Sequence, residues 1–278
     1  MNIIDTHQHL WDQDLLSYSW TAKVPLFNRS FRIDDYLAAT AGLNVIKSVH
    51  VEADVDEKDM VGETRYICAL AERDDNPLSG VVAGARPEST DFPDYLKQIQ
   101  HPSLRGVRRI LHVVPDEVSY APCFLDNLRL LEQYNLSFDI CVLERQLPIA
   151  IRLVRECPNV QFILDHCGNP LVKEGVFEPW RSLMHEIAAY PNVVCKISGI
   201  VVNAGHENWT TAQLRPYVRG VIECFGWDRV MFGSDWPVCT QAAALRRWAE
   251  TLIDLSQDAS ADNQRKLFQL NAERIYRI

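Results

Sequence analysis

Short apolar runs rich in valine and isoleucine alternate with amphipathic stretches from one end of the chain to the other. The runs show little in-and-out alternation, which suits strands covered on both faces. Their regular exchange with segments of helical period predicts βα units around a parallel sheet. Eight such runs occur, at Ile3–His7, Val45–Val51, Val81–Ala85, Gly106–Ile110, Ser137–Cys141, Val160–His166, Val193–Ile197 and Val230–Ser234. Between them the spacing predicts helices over Asp34–Ala41, Met60–Asp75, Phe92–Ile99, Phe124–Tyr134, Leu147–Glu156, Phe177–Tyr190, Ala212–Phe225 and Ala243–Ser256, with a last helix from Ala261. In ECPNVQFILDH and again in AYPNVVCKISG, a Pro-Asn pair stops a helix and a valine opens the next strand. Repetition of one unit eight times predicts an α/β fold of the (β/α)₈ barrel type. No linker or low-complexity stretch interrupts it, so residues 1–278 are expected to form one domain. The longest early interruption, Leu10 to Arg32, carries Trp11, Tyr18, Trp20 and Phe27 and is expected to form a lid or a pocket wall.

Composition narrows the function classes. An apolar fraction of 47% with 23% charged residues is that of a soluble globular protein, and no apolar run reaches the ~18 residues needed to span a bilayer. A net charge of −9, with no basic stripe, argues against nucleic acid and anionic membranes as partners. The eight cysteines never form a CxxC pair, and the first residues lack the basic and apolar regions of a signal peptide. Reduced thiols and a cytoplasmic location are expected. A small-molecule substrate fits this profile, and a homo-oligomer is compatible with it.

If eight strands close into a barrel, their C-terminal ends converge on one mouth, and the unusual polar residues fall there. His7 and His9 stand two apart at the end of the first strand, so both imidazoles leave on one face and can reach one metal. His166 ends the sixth run, and Asp235 follows the eighth in RVMFGSDWP. Three histidines and an aspartate supply nitrogen and oxygen ligands for one divalent ion such as Zn²⁺, with a position left for water or a carbonyl oxygen. A carboxylate beside that water can take its proton and later deliver it to a leaving oxygen. Asp235, His166 and His112 are therefore the expected catalytic groups, and His7, His9, His166 and Asp235 the expected metal ligands. Glu52, spaced i, i+2 from His50, is expected to bind a substrate hydroxyl or the metal. Arg86, Arg108, Arg109 and Lys196 can polarise a carbonyl or hold a carboxylate, with Arg86 and Arg108 favoured for substrate. Arg108 and Arg109 share a strand, so only one can face the mouth. Trp11 and Trp236 flank the proposed ligands and offer aromatic faces to a sugar ring.

DTHQHLW, GVRRILH, LDHCGNP, VVCKISG and RVMFGSDWPV, in that order over essentially the whole chain, resemble the motifs of the amidohydrolase superfamily, and within it the lactonase branch. The resemblance implies a distorted (β/α)₈ TIM barrel whose HxH pair, sixth-strand histidine and eighth-strand aspartate correspond to His7, His9, His166 and Asp235. FDICVLERQ, at the fifth strand, lacks the bridging lysine or histidine of two-metal members, which implies one metal ion, and some members of the branch work without metal. GVRRILH and the EAD after the second strand look most like sugar-acid lactonases. They imply an aldonolactone such as L-fuconolactone or L-rhamnonolactone as substrate. A carbon–carbon lyase of the same superfamily and a lactonase acting on an aromatic-derived dicarboxylate lactone are the competing readings.

Overall fold

The computed structural model describes residues 1–206 and 208–278. Eight parallel strands lie side by side in sequence order: β1 (Ile3–Gln8), β2 (Val45–Val51), β3 (Leu78–Gly84), β4 (Leu104–Ile110), β5 (Ser137–Cys141), β6 (Phe162–Leu164), β7 (Val193–Ile197) and β8 (Val230–Phe232). Helices α1 (Ile33–Ala39), α2 (Met60–Ala71), α3 (Phe92–Gln98), α4 (Phe124–Gln133), α5 (Leu147–Glu156) and α6 (Trp180–Ala188) return the chain between the first seven strands. A short α7 (Ile200–Asn203) and the longer α8 (Thr211–Phe225) connect β7 to β8, and α9 (Leu245–Leu255), α10 (Ala261–Arg265) and α11 (Asn271–Tyr276) complete the chain. This is a TIM barrel, with its helices covering the outer face of the sheet as the unbroken apolar strands require.

Closure between β8 and β1 is irregular. The Thr6 hydroxyl donates to the Phe232 carbonyl at 2.6 Å, Asp235 N–H to the His7 carbonyl at 2.7 Å, and His9 N–H to the Trp236 carbonyl at 2.7 Å. On its other side, β1 pairs with β2 through register shifts between Ile3 and Ile4 and between Asp5 and Gln8. The Asp5 carboxylate takes up the freed donors, accepting from the N–H groups of His7 and Ser234.

At the opposite end a second apolar cluster gathers Ile4, Val49, Val51, Val82, Ile163, Val194 and Met231 from the strands, with Ala272, Ile275 and Tyr276 from α11. The C-terminal helix thus plugs the bottom of the barrel. That leaves the C-terminal ends of the strands as the mouth.

Several predicted boundaries shift. α2 ends at Ala71 rather than Asp75 and α6 starts at Trp180 rather than Phe177, where Pro179 precedes the first helical residue. α7 follows Gly199, which adopts φ +66°, and the sequence reading missed it. The strands predicted to reach His166 and Ser234 stop at Leu164 and Phe232, with consequences for the site described below.

All eight cysteines are free, as their spacing suggested. Among the described residues, no helix is long and apolar enough to cross a membrane.

α2 packs on β3 and carries Glu63, 1% exposed, whose carboxyl accepts the Ala53 N–H at 3.2 Å. Burial, reinforced by the nearby Glu52 charge, pushes the Glu63 carboxyl from 4.5 up to about 8. The folded protein therefore keeps a proton here that the unfolded chain loses. The resulting stability is full below pH 4.5 and disappears as the pH rises to about 8. Glu63→Gln should flatten the fall in melting temperature between pH 5 and 8. Equal slopes for the two proteins in a thermal-denaturation series would show that Glu63 is ionised in the fold.

Candidate active site

Non-glycine residues with positive φ cluster at the mouth: Asp54 (52°), His166 (54°), Cys167 (55°), Asn169 (49°) and Asp235 (58°). Such conformations persist only where surrounding contacts over-determine them, and they concentrate at functional sites. They also explain the short strands, because a left-handed residue cannot continue a ladder. His166 and Asp235 therefore lie in tight loops beyond β6 and β8, not on strand ends as predicted. Gly199 makes room for one of them, since a Cβ there would stand 2.6 Å from His166 Nδ1.

The four predicted ligands meet. Nε2 atoms of His9, His7 and His166 lie 3.3, 3.8 and 3.9 Å from the same oxygen, Asp235 Oδ1. One ligand atom from each of His7, His166 and Asp235 falls within 4.8 Å of the others, all buried. Each imidazole is anchored through its other nitrogen: His9 Nδ1 donates to the Val51 carbonyl at 2.7 Å, His166 Nδ1 meets Ser198 Oγ at 2.9 Å, and His7 Nδ1 meets Asp165 Oδ1 at 3.2 Å. Outer partners of this kind are what orient metal-binding histidines.

The donor arrangement is compatible with a cation. With Nδ1 turned to the Val51 carbonyl, His9 points Nε2 at a carboxylate oxygen, where a proton or a cation can sit between them. A divalent ion fits this donor set. A second cluster of Cys141, Asp165 and His166 lies beside it.

Beneath the histidines runs a buried charge network. Arg108 Nε donates to Glu52 Oε1 at 2.8 Å and Nη2 to the Glu52 carbonyl at 2.7 Å, while Nη1 lies 3.4 Å from His7 Nε2 and 3.5 Å from Asp165 Oδ2. Burial opposes the Arg108 charge, but Glu52 and the other negative groups outweigh it and hold the guanidinium above its ordinary value. For Glu52 burial is likewise overcome, chiefly by Arg108, and its carboxyl sits below the usual range. Lys196 Nζ, fully buried, meets Asp139 Oδ2 at 2.5 Å, Asp165 Oδ1 at 3.2 Å and His7 Nδ1 at 3.3 Å, and the Tyr276 hydroxyl from α11 reaches Asp139 at 3.3 Å.

A cavity of about 400 Å³ opens above this floor. His9, Arg108, His166 and Asp235 form its base, Trp11, Trp20, Ala53 and Asp54 one wall, and His112, Val113, Cys141, Leu143, Asn169 and Asn203 line the rest. The predicted lid segment is a fixed wall: Trp11 stacks edge-on with Trp20 at 5.5 Å, and its backbone pairs with Phe31. His112, lowered to about 4 mainly by burial, is a neutral imidazole whose Nδ1 contacts the Cys141 thiol at 3.4 Å.

Four expected contacts are placed elsewhere. Trp236 packs behind the wall against Phe31 and Tyr36, because the loop after Asp235 turns it outward. Arg86 sits outside the lining, with Nε 3.9 Å from Glu57. Glu52 and Lys196 are consumed by the buried network, and Glu52 is too firmly paired with Arg108 to serve as a metal ligand. Trp20 lines the cavity as part of the segment expected to form a pocket wall, whereas Asp54, Asn169 and Asn203 were missed as lining residues, and the positive φ of Asp54 and Asn169 leaves no periodic sequence signal. Asp165 was visible only as the neighbour of His166.

A family model described as amidohydrolase matches residues 4–278. The chain belongs to the amidohydrolase family. This amidohydrolase is 32% identical to L-fucono-1,5-lactonase of Burkholderia ambifaria over 99% of this chain and 95% of that one. It is 23% identical to L-rhamnono-gamma-lactonase of Scheffersomyces stipitis over 99% and 98%. The crystal structure of an amidohydrolase from Burkholderia multivorans with bound zinc superposes with a TM-score of 0.89, at 26% identity and 100% coverage of both chains.

Arg108 reaches the cavity, whereas Arg109, on the other side of β4, donates from Nη2 to Glu88 Oε1 at 2.6 Å. Arg108→Met should lower turnover by at least ~100-fold, as expected for loss of a preorganised cation. Arg109→Met should lower the melting temperature while keeping kcat/KM within about threefold of wild type. Steady-state kinetics with thermal denaturation separates the two, and equal losses of activity at unchanged stability would contradict the placement.

Proposed function

We propose that this amidohydrolase hydrolyses a sugar-acid lactone, an aldonolactone of the L-fuconolactone or L-rhamnonolactone type, to the open-chain aldonate. The observation that carries this reading is the convergence of three anchored imidazoles on Asp235 at the floor of a tryptophan-walled cavity of about 400 Å³. That volume is in the range of small-molecule sites. The lactone names of its relatives support the same chemistry.

Asp235 works through its second oxygen. Oδ1 faces the histidines, and among the described residues no hydrogen bond reaches Oδ2. Oδ2 accepts a proton from the attacking water as its oxygen bonds to the lactone carbonyl carbon. When the ring C–O bond breaks, the same carboxyl returns that proton to the departing ring oxygen. Arg108 and His166 lie where they can stabilise charge building on the carbonyl oxygen, and neutral His112 can donate a hydrogen bond from the opposite wall. Trp11 and Trp20 take the apolar face of the ring and exclude water from it.

We assign one divalent ion, Zn²⁺, to His7, His9, His166 and Asp235. When bound it supplies Lewis-acid chemistry toward the carbonyl and the attacking water. Elemental analysis of the purified protein should find about one such ion per chain, or activity should rise on adding one. Full activity of metal-free protein in chelator would overturn the assignment and leave polarisation to Arg108 and the histidines.

Asp235→Asn should keep the fold and lose at least ~100-fold in kcat, the usual range for a positioned proton acceptor. Acid release from a panel of aldonolactones in weakly buffered indicator provides the measurement. A variant that melts early yet retains near-normal kcat would make Asp235 structural.

A further inference from the structure

The cavity wall contains a carboxylate that the hydrolytic chemistry leaves unused. Asp54 adopts φ 52°, a conformation that costs an aspartate free energy, and the turn is held in place from beneath. Its N–H donates to Glu52 Oε2 at 2.7 Å, and the other Glu52 oxygen is clamped by Arg108 Nε at 2.8 Å. The side chain is thereby aimed at the cavity instead of at solvent. Among the described residues, no hydrogen bond or ion pair engages the Asp54 carboxylate.

Its neighbour sets the rest of the wall. The Ala53 carbonyl accepts the Trp20 indole N–H at 2.8 Å, so one short turn fixes both an aromatic plate and a carboxylate on the same side of the cavity. An aromatic face covers the C–H side of a sugar ring, and a carboxylate with two free oxygens accepts from hydroxyls at its edge.

Charge in the cavity points the same way. Arg108 is the cation that lines it, with its Nε edge paired to Glu52, whereas Asp54 adds a carboxylate that no side chain pairs. Arg86 and Arg109 lie outside the lining, against Glu57 and Glu88. A lactone whose own carboxylate lay against this wall would meet the Asp54 charge.

We infer that Asp54 determines specificity: it accepts hydroxyl hydrogens from a neutral, polyhydroxylated ring laid against Trp11 and Trp20, and it disfavours lactones that carry a carboxylate. The inference rests on the lactone reading above and adds the residue that selects a neutral, hydroxylated ring.

The test uses two variants chosen for the backbone. Asp54→Gly removes the side chain and accepts positive φ freely, and Asp54→Asn keeps the shape and tolerates the same conformation while removing the charge. Binding is measured by calorimetry with a neutral hexonolactam, which mimics the lactone and resists hydrolysis, and with lactams each lacking one hydroxyl. The wild type should bind the parent lactam ~10–100-fold more tightly than Asp54→Gly, with Asp54→Asn between them. For at least one deoxy-lactam the difference between wild type and Asp54→Gly should vanish. In turnover, Asp54→Gly should raise KM for a neutral hexonolactone, keep kcat within about threefold, and shift the kcat/KM ratio at least ~10-fold toward a carboxylate-bearing lactone.

Equal affinity of wild type and Asp54→Gly for every lactam overturns the inference, as does a wild type that binds none of them. Wild type that binds the lactam in an Asp54-dependent way yet releases acid from no aldonolactone would overturn the hydrolytic reading and leave the recognition role standing.

Discussion

Charge balance inside the barrel governs how the mouth is built. Glu52, Asp139, Asp165 and Asp235 are buried together with Arg108 and Lys196. Ions removed from water stay charged only if partners replace the lost hydration. Arg108 and Lys196 each span two carboxylates, and Asp165, touched by both, is held well below the usual carboxylate range: burial would raise it, but Lys196 and His7 outweigh burial. Two cations do not neutralise four carboxylates, so the buried set is net negative, and Asp235 is the member on which three imidazole nitrogens converge. The divalent ion proposed above would offset that excess, which would tie it to the electrostatics of the core as well as to its ligands.

The same network couples the two ends of the molecule. Tyr276, on the helix that plugs the bottom of the barrel, touches Asp139; Asp139 holds Lys196; and Lys196 lies against the Nδ1 side of His7. One face of His7 is thus set by the core while its Nε2 edge faces the mouth. Local strain at Asp54, His166 and Asp235 is tolerable because this floor is rigid, and the strained residues are the ones whose side chains must leave the barrel wall at unusual angles. Rigid core and strained rim divide the labour between stability and chemistry.

The aromatic wall follows the same logic with apolar means. Trp11 is clamped by reciprocal backbone hydrogen bonds with Phe31 and by its indole N–H to the Arg29 carbonyl, and Arg32 closes the segment by pairing with Asp12 at 2.6 Å. A loop with so many internal partners presents a preformed surface, so a ring docking on it loses little free energy in ordering the protein.

Periodicity alone carried the architecture, because eight apolar runs buried on both faces and separated by amphipathic helices leave few arrangements other than a barrel. The sequence also placed His7, His9, His166 and Asp235 at one end, since each follows or ends an apolar run. What it could not reveal was direction. Trp236 follows Asp235 immediately yet packs behind the wall, Lys196 sits at a strand end yet is spent on Asp139 and Asp165, and Glu52 is captured by Arg108 from two strands away. Asp54, with little but its place in EAD to mark it, reaches the cavity through a positive φ that no residue pattern encodes. Hydrophobic spacing is a local property and is written along the chain, whereas the choice of partner for a buried charge depends on which distant residues packing brings within hydrogen-bond reach, and only the tertiary structure decides that.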